Sequence, residues 1–304
     1  MLTEIEMRLF IESAIKAMAA YTMPYLTQVT GVIDEHVGEF RGTGFFCELA
    51  GREAIVTADH VRRKAMDRGK FQGLAFSRGS ATVPTILAGE IQSFDENSYD
   101  LAIYYPSSRF PLGHEKRFWP GDRIDRDPRS ILRDYLFVQG FPQRYSRFTT
   151  LGGNAIVSET LAYGAMVRYS EADVPPEERE QFDRELPGYE FLPREMLRPH
   201  QFALNFWVEP DHFLGPESGT KMAEDWSEVF EEAEEEQSVA PGQKVRGAYG
   251  LSGSPVWRLG ASGMSSRQWT PECSQLVGVI TNWNSEAKIL IATSASKLLE
   301  VSGT

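Results

Sequence analysis

The sequence predicts an all-β protein made of short antiparallel strands behind one N-terminal helix. Three observations lead there. From Tyr25 onward the apolar and β-branched runs are short and bounded by Gly, Pro, Asp and Asn. Helical spacing of apolar residues is sustained at the N-terminus instead. No strand–helix alternation of the kind that builds a parallel sheet runs through the chain. At 304 residues, 41% of them hydrophobic, the chain is long enough to bury a large core in one domain or two.

Leu2, Ile5, Leu9, Ile11, Ile15 and Met18 recur at near-helical spacing, and Thr3-Glu4-Ile5-Glu6 offers a capping box. A helix over residues 3–20, within an N-terminal segment 1–24, is expected to pack on the body of the protein, and Pro24 ends it. Strands follow at 26–33, 42–49 and 52–58, the first two separated by a polar turn. The basic stretch 61–68 reads as a helix. Strands at 73–76, 82–87, 90–94 and 101–105 complete a first unit over 25–112, which suits a small antiparallel barrel. Residues 113–130 form a connector rich in Pro, Arg and Asp.

Residues 131–304 hold the second unit, with strands expected at 135–142, 155–158, 166–169, 202–208, 256–258, 276–282 and 289–293, and a short helix at 296–301. Two stretches read as insertions. Residues 171–200 are charged and Pro-rich, and 211–240 contain Glu231-Glu232-Ala233-Glu234-Glu235-Glu236, the composition of a solvated face.

Composition narrows the partners. A net charge of −12 argues against nucleic acid, which demands clustered Lys and Arg. No apolar run reaches the ~18 residues a membrane span needs. Cys47 and Cys273 are the two cysteines, too few for a disulfide scaffold. With charged residues throughout Met1 to Tyr21 there is no signal-peptide core, so a cytoplasmic setting is expected. No His or Cys spacing suggests a metal, and no cofactor is expected.

The chemistry gathers at Gly250-Leu251-Ser252-Gly253-Ser254-Pro255-Val256, a tight turn that exposes a hydroxyl ahead of an apolar strand. Upstream lie Gly42-Thr43-Gly44-Phe45-Phe46, then Ala54-Ile55-Val56-Thr57-Ala58-Asp59-His60-Val61, then Tyr99-Asp100-Leu101-Ala102-Ile103. His, Asp and Ser thus occur in that order, each in a setting that fits a role. A serine hydroxyl needs a base to take its proton, and the base needs a partner to fix its tautomer.

Together these stretches resemble the chymotrypsin/trypsin-like serine protease family, in its bacterial, disulfide-poor form. The resemblance implies two antiparallel six-stranded barrels packed face to face, with His60 as base, Asp100 as its orienting acid and Ser252 as nucleophile. It also implies an oxyanion hole from the N–H groups of Gly250 and Ser252. Arg246 matches a position near the floor of the specificity pocket, and Thr281-Asn282-Trp283 resembles the strand that pairs with substrate. Three departures stand out. Asp59 replaces a small residue and could perturb His60, Ser254 replaces a commoner Gly, and Leu251 replaces the Asp that pairs with a newly cut N-terminus. Leucine accepts no ammonium, so activation by that cleavage is excluded.

The expected function is a serine endopeptidase acting on protein or peptide substrates, with an activating protein partner in a stress or defence pathway. A catalytically silent protease-like scaffold used for binding is the alternative. An α/β-hydrolase esterase is disfavoured because Ser254 stands where its turn requires Gly.

Overall fold

A computed structural model of the chain describes residues 4–32, 38–66, 73–76, 85–86, 89–95, 97–107, 116–127, 131, 134–142, 146–149, 155–158, 160–170, 174, 176, 179–185, 189–206, 248–260, 268–284 and 286–303. The expected insertion 211–240 and Arg246 lie outside them.

Helix α1 spans Glu4–Thr22. It docks on the body through Phe10, Ala14 and Met18, a face offset from the expected one, since Leu9 is 61% exposed and Ile11 and Ile15 only half-buried; Phe10 meets Trp269 edge-on at 5.7 Å. Gly164 makes room for it, since a Cβ there would lie 2.8 Å from Ile15 Cδ1.

The first sheet follows. Its strands are β1 (Leu26–Val32), β2 (Gly38–Leu49), β3 (Arg52–Ala58), β4 (Gly73–Phe76), β5 (Thr85–Ile86), β6 (Gly89–Phe94) and β7 (Leu101–Pro106), in the order β5-β4-β1-β2-β3-β7-β6. Every pairing is antiparallel. β2 turns into β3 through Ala50 and Gly51 at φ of 51° and 71°, two left-handed residues in a two-residue loop, which matches the twist of the flanking strands. Helix α2 (Asp59–Met66) leaves the end of β3 at once. It begins two residues before the expected 61, so His60 sits in its first turn and not at a strand end.

The second sheet holds β8 (Leu136–Gly140), β11 (Leu161–Ala165), β12 (Val167–Arg168), β13 (Gln201–Asn205), β14 (Pro255–Arg258), β15 (Gln275–Asn284) and β16 (Ile289–Ser294), in the order β11-β8-β14-β15-β16-β13-β12. Strands β9 (Ser146–Thr149) and β10 (Ala155–Ser158) pair apart as a hairpin. Helix α4 (Ser296–Ser302) closes the chain. Bulges between Val256 and Trp257 and between Ile280 and Asn282 shift the register and bend these strands. The sheets are thus the two antiparallel barrels expected, each with seven strands where six were anticipated. The two-residue strands β5 and β12 fall within the stretches 82–87 and 166–169 expected as strands, whereas β11 lies outside every expected stretch.

The described part of 171–200 is more than a solvated loop. It carries helix α3 (Arg179–Glu185), whose Phe182 is buried and meets Tyr169 at 5.1 Å, with Tyr189 and Phe191 beside it. Three aromatic rings among many charges anchor the segment to the second core.

One core runs through both sheets. Phe45, Val56 and Leu101 from the first join Phe137, Trp257 and Val279 from the second. The connector stitches them: Trp119 is fully buried, 5.8 Å from Trp257, and exchanges backbone bonds with Phe46 and Glu48 of β2. A few residues on, the Asp125 N–H donates to the Leu276 carbonyl of β15. The seam between the sheets is therefore fixed from below by apolar burial and from the side by backbone bonds.

Candidate active site

His60 and Asp100 meet at the rim of the first sheet. Nδ1 of His60 lies 2.7 Å from Oδ2 of Asp100, and the His60 backbone N–H donates to Oδ1 at 2.9 Å. An ionised carboxylate only accepts, so a neutral imidazole in this contact carries its proton on Nδ1 and presents Nε2 as an acceptor. Both side chains are largely buried, 20% and 10% exposed, which shields the pair from competing water.

Asp100 reaches this position through a strained backbone. Its φ is +51°, a conformation Asp tolerates better than most residues. The turn before it is tied down: Asp95 Oδ1 accepts from the N–H groups of Asn97 and Ser98, and the Asp95 carbonyl accepts from Asp100 N–H at 2.8 Å. The Asp100 carbonyl in turn accepts from Asp59 N–H at 3.1 Å. On the second-sheet side, Thr293 Oγ1 donates to the Tyr99 carbonyl at 2.8 Å.

Asp59 faces away from the imidazole. Its Oδ1 accepts from Arg62 Nε at 2.8 Å and Ser93 Oγ at 2.6 Å, and its Oδ2 from Arg63 Nε at 2.8 Å. Burial pushes its carboxyl pKa up, but the Ser93 and Arg62 hydrogen bonds and the two guanidinium charges outweigh that and lower it overall. Asp59 is thus held in a bond set that locks the first turn of α2 and ties it to β6.

The Gly250–Ser254 turn is built from the second sheet. Gly250 and Gly253 take φ of 92° and 87°, which Gly alone adopts without cost. The Leu251 N–H donates to the Ala248 carbonyl, Gly253 N–H to Ile280 and Ser254 N–H to Leu251. Leu251 is fully buried in the second core, which anchors the turn from below with an apolar side chain. Ser252 itself is partly exposed. Neither its N–H nor that of Gly250 donates to a carbonyl among the described residues, so both remain open to an external acceptor.

Gly42 is where the halves of the site touch. A Cβ there would lie 2.8 Å from Val61 Cγ2 and 2.9 Å from the Ser252 carbonyl oxygen. The first turn of α2, which carries His60, and the turn that carries Ser252 thus both close on the face of this glycine where a Cβ would sit. Thr43, to which the sequence assigned no role, donates its N–H to the Ser252 carbonyl at 3.0 Å. The Gly-Thr-Gly pattern was the available signal: glycines around a polar residue in a strand mark a close approach of another backbone.

The other candidates divide. Thr281 is buried at the β15 bulge, its hydroxyl 3.4 Å from the Ile291 carbonyl. Asn282 is exposed, and its Oδ1 accepts from the Trp283 N–H. Trp283 is half-buried and meets Phe206 edge-on at 4.9 Å. Among the described residues no group of His, Cys, Asp and Glu could hold a metal, and no helix is long and apolar enough to cross a membrane.

These sheets and their seam define a chymotrypsin-like double-barrel protein. No protein-family model matches the sequence, and no curated protein matches it either. Solved structures do align with it. One is the active form of the Rv3671c protease of M. tuberculosis, at 14% identity over 95% of this chain and 84% of that one, with a TM-score of 0.42. Another is human heparin binding protein, at 10% identity over 93% and 91% of the two chains, with a TM-score of 0.45. Likeness at this level assigns no activity to this chain.

Proposed function

We propose that the protein is a serine endopeptidase in which Ser252 attacks the peptide carbonyl, His60 takes its proton at Nε2, and Asp100 holds the imidazole. The observation that carries this reading is the double grip of one carboxylate on His60, at the backbone N–H and at Nδ1. The bond to Nδ1 is the one that orients a general base, and the bond to the main chain holds the carboxylate in place for it. The tetrahedral oxyanion is received by the N–H groups of Gly250 and Ser252, which donate to no carbonyl among the described residues. His60 then returns the proton to the leaving amine, and water hydrolyses the acyl-enzyme by the same route in reverse.

The buried Leu251 bears on control. Its place in the core leaves no carboxylate beneath the turn for a new N-terminal ammonium to bind. Activation by a protein partner, in the cytoplasm, belongs to this proposal and rests on that residue and on the scarcity of cysteine.

A peptide library incubated with the protein and read by mass spectrometry tests the reading. Wild type should cleave, and Ser252→Ala should lose on the order of 10⁶ in turnover while its melting temperature stays the same. Cleavage that survives Ser252→Ala overturns it. A wild type that binds peptides without cutting them supports the silent scaffold instead.

A further inference from the structure

Thr43 belongs to β2 of the first sheet, yet its polar atoms serve the second. Its N–H donates to the Ser252 carbonyl at 3.0 Å, and its hydroxyl donates to the Gly250 carbonyl at 2.8 Å. The same hydroxyl accepts from the Phe141 N–H, just past β8, at 2.8 Å. Its carbonyl accepts from Thr57 Oγ1 at 2.7 Å, and that carbonyl is also what a Cβ on Gly253 would strike. The residue is fully buried. One hydroxyl that donates once and accepts once has no rotational freedom left.

The pattern of bonds selects which peptides are held. The Gly250–Leu251 peptide is bonded at both ends, its carbonyl by Thr43 Oγ1 and its N–H by Ala248. The Ser252–Gly253 peptide is likewise bonded at both ends, by Thr43 N–H and by the Ile280 carbonyl. Among the described residues the N–H groups of Gly250 and Ser252 donate to no carbonyl. Any residue on β2 would supply the main-chain bond to Ser252. Only a hydroxyl at this position supplies the bond to Gly250.

We propose that the Thr43 hydroxyl is a positioning group that holds the Gly250–Ser254 turn in the geometry in which two N–H groups converge on an oxyanion. Its catalytic consequence rests on the serine-peptidase reading; its hold on the turn does not. The hydroxyl also ties the turn to the end of β8, so it sets the nucleophile against both sheets at once.

Two variants separate hydroxyl from shape. Thr43→Val keeps the β-branch and removes the hydroxyl, and Thr43→Ser keeps the hydroxyl and removes the methyl group. Amide hydrogen exchange is measured on both, together with the rate of labelling by a fluorophosphonate and kcat and KM on a cleaved peptide. Thr43→Val should raise exchange at Leu251, Gly253 and Phe141 by about tenfold or more while β3 and β7 stay as in wild type, because three bonds around one group loosen together. Labelling and kcat should fall about 10²-fold, the scale of a lost oxyanion donor, with KM nearly unchanged. Thr43→Ser should restore all three readouts. Unchanged exchange in Thr43→Val overturns the proposal, as does a loosened turn with wild-type labelling. So does a Thr43→Ser protein as impaired as Thr43→Val, which would show that volume was the requirement. A wild type that takes no label overturns the peptidase reading alone, and the exchange data still decide whether Thr43 holds the turn.

Discussion

At Gly253 the backbone has φ of +87°, and a side chain there would run into the Thr43 carbonyl and the Thr57 hydroxyl. Gly51 has a similar φ of +71° with nothing within 4 Å of an added Cβ. The pair isolates conformation from contact. Gly51→Ala should lower stability by about 1 kcal/mol, the usual cost of a left-handed L-residue. Gly253→Ala should lose about 2–4 kcal/mol, because overpacking against main chain adds to that cost. Urea denaturation of the two variants measures the difference; equal losses would show that the turn has room to give. The residue scale is also where the sequence was least informative. Ser252, His60 and Asp100 announce themselves by chemical type and order, whereas Thr43 and Ser93 are ordinary residues until their partners, far away in the chain, are placed beside them.

Helix α2 shows what one element contributes. Asp59 binds Arg62 and Arg63 of its own helix and Ser93 of β6, the strand that leads into the Asp100 turn. It thereby couples the element bearing His60 to the element bearing Asp100. Asp59→Asn removes the charge and should cost about 1.5–3 kcal/mol, the range of hydrogen bonds to charged groups. The pH dependence follows from the lowered native pKa. The unfolded carboxyl titrates near ~3.9, so the stabilisation is complete above that value and is lost as pH falls through the lower native pKa. Denaturation midpoints measured from neutral pH downward should fall on the acid side in wild type, and less steeply in Asp59→Asn. An identical acid limb would mean that other carboxylates govern it. Element types were legible where periodicity was long: α1 was foreseen at 3–20 and spans Glu4–Thr22. β11 lies outside the expected strands because its Leu-Ala-Tyr-Gly-Ala run has no polar residue to mark the alternation and carries a Gly. The burial of Phe182 was hidden by the acidic and basic residues around it.

At the scale of the whole molecule, the double-barrel arrangement could be read from strand texture and from the order of His, Asp and Ser. The joint between the sheets could not. It depends on Trp119 and Trp257 meeting across the seam and on connector bonds to β2 and β15, pairings that no local pattern encodes. The joint matters because the candidate site is shared: His60 and Asp100 come from one sheet, Ser252 and its turn from the other, and Gly42 and Thr43 are where they touch.

The most direct measurement of that account is covalent labelling by a fluorophosphonate, with the adduct located by peptide mass spectrometry. The phosphorus should be found on Ser252 and on no other serine, with the rate falling sharply in His60→Ala and by roughly 10⁴ in Asp100→Asn, where the imidazole is held in the wrong tautomer. An adduct on a different serine, or a rate on Ser252 indifferent to His60→Ala, would contradict it.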